Sequence, residues 1–140
     1  EDVGAALDGV ELVLRGRSLV VGGVSCGSMV GLKVGVTDPR VVAMVAVGAP
    51  IRRFDYTYLR ETGKPVLVIQ GEEDEFGSGG EVQEVLGGLG GHVTVRVVQG
   101  ADHLLEGHLE ELQGHIREYF THGAGGEALD PMTGGGRTSS

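Results

Sequence analysis

Apolar residues along the chain fall into two rhythms. At the start, Val3, Leu7, Val10 and Leu14 recur every three or four positions, which predicts a helix over residues 2–15. The runs that follow are unbroken. Ser18–Ser25 (SLVVGGVS), Arg40–Val47 (RVVAMVAV) and Pro65–Gln70 (PVLVIQ) read as strands buried on both faces. His92–Val98 (HVTVRVV) alternates instead. Val93, Val95 and Val97 point one way and Thr94 and Arg96 the other, the mark of a half-exposed strand at a sheet edge. Between the strands, residues 27–36 are small and apolar, as in a helix packed on a sheet. Residues 55–60 have room for one helical turn, and residues 80–89 form a weak helix laden with glycine. Leu105–Phe120 is the strongest helix, with Leu105, Leu109, Leu112, Ile116 and Phe120 on one stripe.

Strands alternating with helices imply a mainly parallel sheet of about four strands between helical layers, a three-layer α/β/α domain. The folded domain is read as residues 1–122. Residues 123–140 turn to Gly, Ser and Thr and are expected to be a flexible tail. In a parallel sheet of this kind, ligands bind beyond the carboxyl ends of the strands. The residues to inspect are therefore those near Ser25, Gly48–Pro50, Gly71–Glu75 and Gly100–His103.

The first of these ends carries Gly23-Val24-Ser25-Cys26-Gly27, a G-x-S-x-G pattern leaving a buried strand and entering a helix. That context suits a sharp, strained turn that presents the serine hydroxyl, with glycines letting the backbone pack closely. Taken alone, the pattern also fits an ordinary glycine-rich turn, in a chain where 27 of 140 residues are glycine. The third strand ends in Glu72-Glu73-Asp74-Glu75, where a carboxylate could orient a histidine; composition does not choose among the acids. The fourth ends in Gly100-Ala101-Asp102-His103. Of the five histidines, His103 alone follows a strand's carboxyl end. His108, His115 and His122 are spaced by seven and lack the closer i, i+4 spacing of a helical metal site.

These stretches resemble the α/β-hydrolase superfamily, and within it the small lidless bacterial group related to dienelactone hydrolase. The resemblance rests on EDVGAALDGV, VVGGVSCGSMVGLKV, DPRVVAMVAVGAP, KPVLVIQGEEDEFGS and VQGADHLLEGHLEEL, and covers about residues 1–121. It implies Ser25 as nucleophile, Asp74 as the acid and His103 as the base. His103 would take the Ser25 proton and pass it to the leaving group, and Asp74 would hold the imidazole tautomer. The backbone N–H of Cys26 would donate to the oxyanion. True dienelactone hydrolases carry cysteine at the nucleophile position itself, which Cys26 is not. The strands that open the family fold, and the loop that supplies its second oxyanion donor, find no match. The chain therefore reads as the C-terminal part of the fold, cut from something longer. The strand at 18–25 is then expected to leave a bare apolar edge, open to self-association or to a partner chain.

Composition narrows the rest. A net charge of -9 argues against nucleic acid and anionic lipid as partners. No apolar run reaches the roughly 18 residues of a membrane span. One cysteine excludes an internal disulfide, and no cofactor or metal is implied. No phosphate-binding glycine motif is present, which sets aside a nucleotide-binding domain. The absence of a leader pattern agrees with a cytoplasmic location. The expected function is a serine hydrolase of an ester or related acyl small molecule; the alternative is a catalytically inactive fragment or partner-binding module. Phe54, Tyr56, Tyr58 and Phe76 are offered as pocket-lining or packing residues, and Arg52 and Arg53 as contacts to an anionic substrate or as solvated surface charges.

Overall fold

The computed structural model describes residues 2–7, 10–15 and 18–129. Its sheet has six strands, β1 (Asp2–Leu7), β2 (Val10–Arg15), β3 (Ser18–Val24), β4 (Val41–Val47), β5 (Val66–Gly71) and β6 (Val93–Val98), paired in that order. β3 to β6 run parallel, while β1, β2 and β3 are joined antiparallel. The helices are α1 (Cys26–Thr37), α2 (Gly79–Val85), α3 (Leu109–Thr121) and α4 (Ala124–Leu129). The four parallel strands and their flanking helices make the three-layer α/β/α architecture that the alternating pattern implies.

The parallel strands are apolar on both faces because both faces are covered. Leu19, Val21, Met44, Ala46, Val66 and Val68 pack with Leu32 of α1 and Val82 of α2. Val20, Ala43, Val45, Leu67 and Ile69 face the other way, against Ile116, Tyr119 and Phe120 of α3. The α1 face toward the sheet is made of small residues, Gly27, Ser28, Gly31 and Gly35 among them. This brings the helix so close that a Cβ on Gly35 would lie 2.5 Å from the sulfur of Met44. The ammonium of Lys64, just ahead of β5, donates to the carbonyls of Gly35 (2.7 Å) and Asp38 (2.8 Å), closing the C-terminal end of α1.

Residues 2–7 and 10–15 form two strands where the apolar spacing predicts one helix over 2–15. Val10, Leu12 and Leu14 alternate as well as they recur helically. The register closes Leu7 on Val10, with Asp8-Gly9 between them, a dipeptide favoured in two-residue hairpins. Pairing with β2 also satisfies the outer backbone groups of β3. The strand at 18–25, expected to present a bare edge, is instead paired with β2, and among the described residues the edge strands of the sheet are β1 and β6. The predicted tail is corrected in part: residues 124–129 are helical, and residues 130–140 lie outside the described residues. The glycine-laden helix shortens to α2 plus a 3-10 turn at Gly87–Leu89. The last helix starts at Leu109, because Leu105 (φ 59°) and Gly107 (φ 80°) take left-handed backbone that a helix cannot continue through.

α2 begins with a capping box, in which Ser78 accepts from the Glu81 N–H and the Glu81 carboxylate accepts from the Ser78 N–H. Glu81 also pairs with Arg52, whose Nη1 donates to the Glu75 carbonyl at 2.8 Å. The hydrogen bond from the Arg52 guanidinium is the main cause that lowers the Glu81 carboxyl from 4.5 to about 2. A depressed carboxyl stabilises the fold above its unfolded value, and that contribution fades as pH falls from about 4.5 to about 2. Glu81→Gln should therefore flatten the acid limb of a melting-temperature profile in that window; an unchanged limb would contradict the clamp. Leu67 is fully buried in β5, so Leu67→Ala should cost about 2–5 kcal/mol in urea unfolding, and a loss well under 1 kcal/mol would contradict the packing described.

Candidate active site

Each parallel strand hands its carboxyl end to a turn, and three of those turns meet. Ser25 lies between β3 and α1 with φ 56° and ψ −125°, a conformation that costs an L-residue about 1–3 kcal/mol. What holds it is local. The Ser25 N–H donates to Val47 of β4 at 2.8 Å. The Ser25 carbonyl accepts from the Ser28 hydroxyl at 2.7 Å, and that hydroxyl also bonds the Tyr56 phenol at 2.9 Å. Ser28 and Tyr56 are both buried beneath the turn. Gly23 has no room for a side chain, since a Cβ there would collide with the carbonyl of Gly27. The two glycines of the G-x-S-x-G pattern are thus in contact, which is the physical content of their spacing.

The Ser25 Oγ lies 2.7 Å from His103 Nε2. On its other side, His103 Nδ1 lies 2.7 Å from the Asp74 carboxylate. A carboxylate only accepts, so Nδ1 donates and Nε2 is left as acceptor for the serine hydroxyl. Asp74 is 2% exposed, and each of its oxygens is engaged. Oδ1 accepts from the Phe76 N–H at 2.7 Å, and Oδ2 from His103 and from Gln70 at 3.1 Å. Burial and direction select Asp74 from the acidic run: Glu72 turns away to accept from the Gly100 N–H at 2.8 Å. The His103 ring stands edge-on to Phe76, with centroids 4.8 Å apart.

Gln70 is the residue that sequence reading passes over. It ends an apolar run, where a polar side chain looks like the start of a loop. It is fully buried. Its oxygen accepts from the Ala49 N–H at 2.9 Å. Its amide donates toward Ala49 O (3.0 Å), Gly77 O (2.8 Å) and Asp74 Oδ2 (3.1 Å). One carboxamide thereby ties the end of β4 to the loop that carries Asp74. The available signal was the break in apolarity inside a strand otherwise buried on both faces. Gly48, at one of the strand ends marked for inspection, had been given no role. Its φ of 67° brings it against the loop of His103, where a Cβ would lie 2.7 Å from the His103 carbonyl.

Cys26 is exposed and is the first residue of α1. Its N–H belongs to the opening turn, whose amides have no partner within the helix, and it directly follows the serine. The connection from Val47 to Val66 contains only a 3-10 turn at Thr57–Glu61, so no domain-sized cap stands over Ser25 among the described residues. Of the aromatic residues offered as lining, Tyr56 is buried packing and Phe76 abuts the imidazole. Phe54 and Tyr58 line a cleft of about 560 Å³ with Met29 and Lys33. Arg52 is committed to Glu81, and Arg53 stands over the Phe76 ring at 5.7 Å. No helix among the described residues is long and apolar enough to cross a membrane.

Comparison with known proteins finds relatives of this chain and of its fold. An uncharacterised protein of Rickettsia prowazekii is 25% identical over 128 residues, which is 85% of this chain and 54% of that one. A proposed alpha/beta hydrolase of unknown function from Agrobacterium tumefaciens superposes with a TM-score of 0.69 at 23% identity, over 75% of this chain and 50% of its own. An alpha-beta serine hydrolase homologue from Coxiella burnetii superposes with a TM-score of 0.60 at 27% identity, over 68% and 45%. The chain thus spans about half the length of these relatives. A family model described as an alpha/beta hydrolase domain matches residues 3–119. That match takes in the six-stranded sheet but for Asp2, together with α1, α2 and most of α3, and the chain belongs to the alpha/beta hydrolase domain family.

Proposed function

We propose that this chain carries the catalytic apparatus of a serine hydrolase acting on an ester or related acyl compound. The observation that carries the reading is the unbroken hydrogen-bond chain from Ser25 through His103 to Asp74, at 2.7 Å for each link, with Ser25 on a strained turn. In this reading His103 Nε2 takes the hydroxyl proton as Ser25 Oγ attacks the acyl carbon. The imidazolium that forms is stabilised by the Asp74 carboxylate and returns its proton to the leaving alcohol. Water then attacks the acyl-serine, with His103 again as base, and the acid and free Ser25 are released. The Cys26 N–H donates to the tetrahedral oxyanion. One such donor is worth about 10²–10³ in rate. The half-exposed serine and the short connection between β4 and β5 favour a small or open-ended substrate.

A second reading is a hydrolase-like module that binds a partner without turning over substrate. Its support is that Cys26 is the one backbone donor assigned to an oxyanion among the described residues.

Labelling with a fluorophosphonate, read by peptide mass spectrometry, separates the two. Labelling at Ser25 is expected, absent in Ser25→Ala and slowed by at least about 10³-fold in His103→Ala. A folded sample that takes no label would sink the hydrolase reading and leave the binding module. Gln70→Ala should slow labelling by about ten- to a hundredfold through misplacement of Asp74, while an unchanged rate in a folded variant would remove Gln70 from the machinery.

A further inference from the structure

Among the described residues, two that are not glycine take a positive φ: Ser25 at 56° and Leu105 at 59°. The first presents the hydroxyl that meets His103. The second follows His103 by two positions, on the loop that joins β6 to α3, and the proposed reaction makes no use of it. A leucine in this conformation is strained, and a glycine would relieve the strain. The same loop takes the glycine route twice, at Gly100 (φ 73°) and Gly107 (φ 80°), where a Cβ would point into open space. What sets position 105 apart is where its side chain goes.

Leu105 is 3% exposed and belongs to the apolar cluster that holds Val47, Ile69 and Val98 of β4, β5 and β6. Ala101 is buried in that cluster too, while Asp102 and Leu104 are exposed. His103 thus rides on a short span with a buried foot at each end. The two feet are held differently. The Ala101 N–H donates to Val98 at 3.3 Å, and its carbonyl accepts from the Glu73 N–H at 3.0 Å. Gly71 lies so close to the Ala101 and Asp102 carbonyls that a Cβ would strike them. Leu105 bonds only inside its own loop: its N–H donates to the Asp102 carbonyl at 3.2 Å, and its carbonyl accepts from the His108 N–H at 3.0 Å. Those bonds shape the turn and leave its seat on the sheet to the leucine side chain. Asp74 fixes the direction of the imidazole but not where the His103 main chain stands, and Gly48 bounds that main chain on one side only.

We infer that Leu105 is a positioning residue for the base: its burial seats the turn from Asp102 to Leu105 so that His103 Nε2 stands within hydrogen-bond reach of Ser25. The left-handed backbone at 105 lets the chain dip into the core directly after it has presented His103. The inference rests on the hydrolase reading for its chemical consequence, while its geometric content concerns the loop and the imidazole alone.

The test compares Leu105→Gly, Leu105→Ala and Leu105→Met with Leu67→Ala, which opens the same cluster from the amino end of β5. Two readouts are taken on the full chain, well below each melting temperature. One is the rate of fluorophosphonate labelling at Ser25. The other is the nitrogen NMR shifts of the His103 imidazole, assigned by their absence in His103→Ala. The wild type should show Nδ1 protonated, the tautomer that Asp74 selects. Leu105→Gly removes anchor and strain together, so it should melt above Leu105→Ala. Both should label about ten- to a hundredfold more slowly and show a mixture of imidazole tautomers. Leu105→Met keeps the volume and should restore most of the rate and the single tautomer. Leu67→Ala should melt below the wild type yet keep its labelling rate and its tautomer. A folded Leu105→Gly with the wild-type rate and nitrogen shifts would overturn the inference, as would equal losses in Leu67→Ala. Failure of both Leu105→Gly and Leu105→Ala to fold would also overturn it, by making Leu105 a general core residue. A wild type that takes no label, with the Nδ1 tautomer lost in Leu105→Gly, would sink the hydrolase reading and keep Leu105 as the residue that places His103.

Discussion

The carbonyl ends of β4 and β5 are coupled through one buried carboxamide, and the geometry around Ser25 depends on it. Gln70 bonds both backbone groups of Ala49, the Gly77 carbonyl and the Asp74 carboxylate. Without that amide, the Ala49 N–H and the Gly77 carbonyl would lose their partner in a buried setting, a penalty of about 1–3 kcal/mol each, while the Ala49 carbonyl would keep the Ile51 N–H at 2.9 Å. The same four contacts fix where Asp74 can stand. The position of His103 follows from Asp74, and the hydrogen bond to Ser25 follows from His103. Parallel pairing brings the strand ends to one edge, and Gln70 converts that rough alignment into a set of defined distances.

The strain at Ser25 has its own support, separate from Gln70. The serine's amide is tied to β4, its carbonyl to Ser28, and Ser28 to the buried Tyr56. The contact of Gly23 with Gly27 leaves the turn no wider path. The site is thus built from two buried polar arrangements, one under the serine and one under the carboxylate. They meet only at His103, the member of the chain whose ring retains some exposure, at 15%. In the proposed reaction, where His103 accepts and releases a proton, a rigid partner on each side and limited solvent on its own face suit that role.

Much of this was legible from residue order. The four parallel strands announced themselves because strands covered on both faces must be apolar throughout, and the turn at Ser25 because glycines flank a serine where a strand gives way to a helix. Other parts were hidden for physical reasons. Val3, Leu7, Val10 and Leu14 suit a helix, while Val10, Leu12 and Leu14 suit a strand. Only the unmet backbone groups of β3 separate the two, and those belong to tertiary structure. The acid could not be chosen from Glu72, Glu73 and Asp74, since what distinguishes Asp74 is burial beside Gln70. Leu105 fits the stripe of α3 but is buried from a loop, because Gly107 breaks the helix two residues later. Gln70 looked like a strand terminus, because a polar residue shows nothing of its partners in the linear chain.

The glycines at 23, 48 and 71 carry a consequence for how such a domain can diverge. At each, a side chain would strike backbone, that of Gly27, of His103 and of Ala101 and Asp102 in turn. A rotamer change cannot relieve a collision with main chain, so these positions are closed to ordinary drift. The surfaces left outside that framework are the exposed positions of the Pro50–Lys64 connection, the buried Tyr56 excepted, and the exposed face of α1. Inherited variation in what the domain recognises is therefore channelled into those two segments, while the hydrogen-bonded chain behind them stays constant.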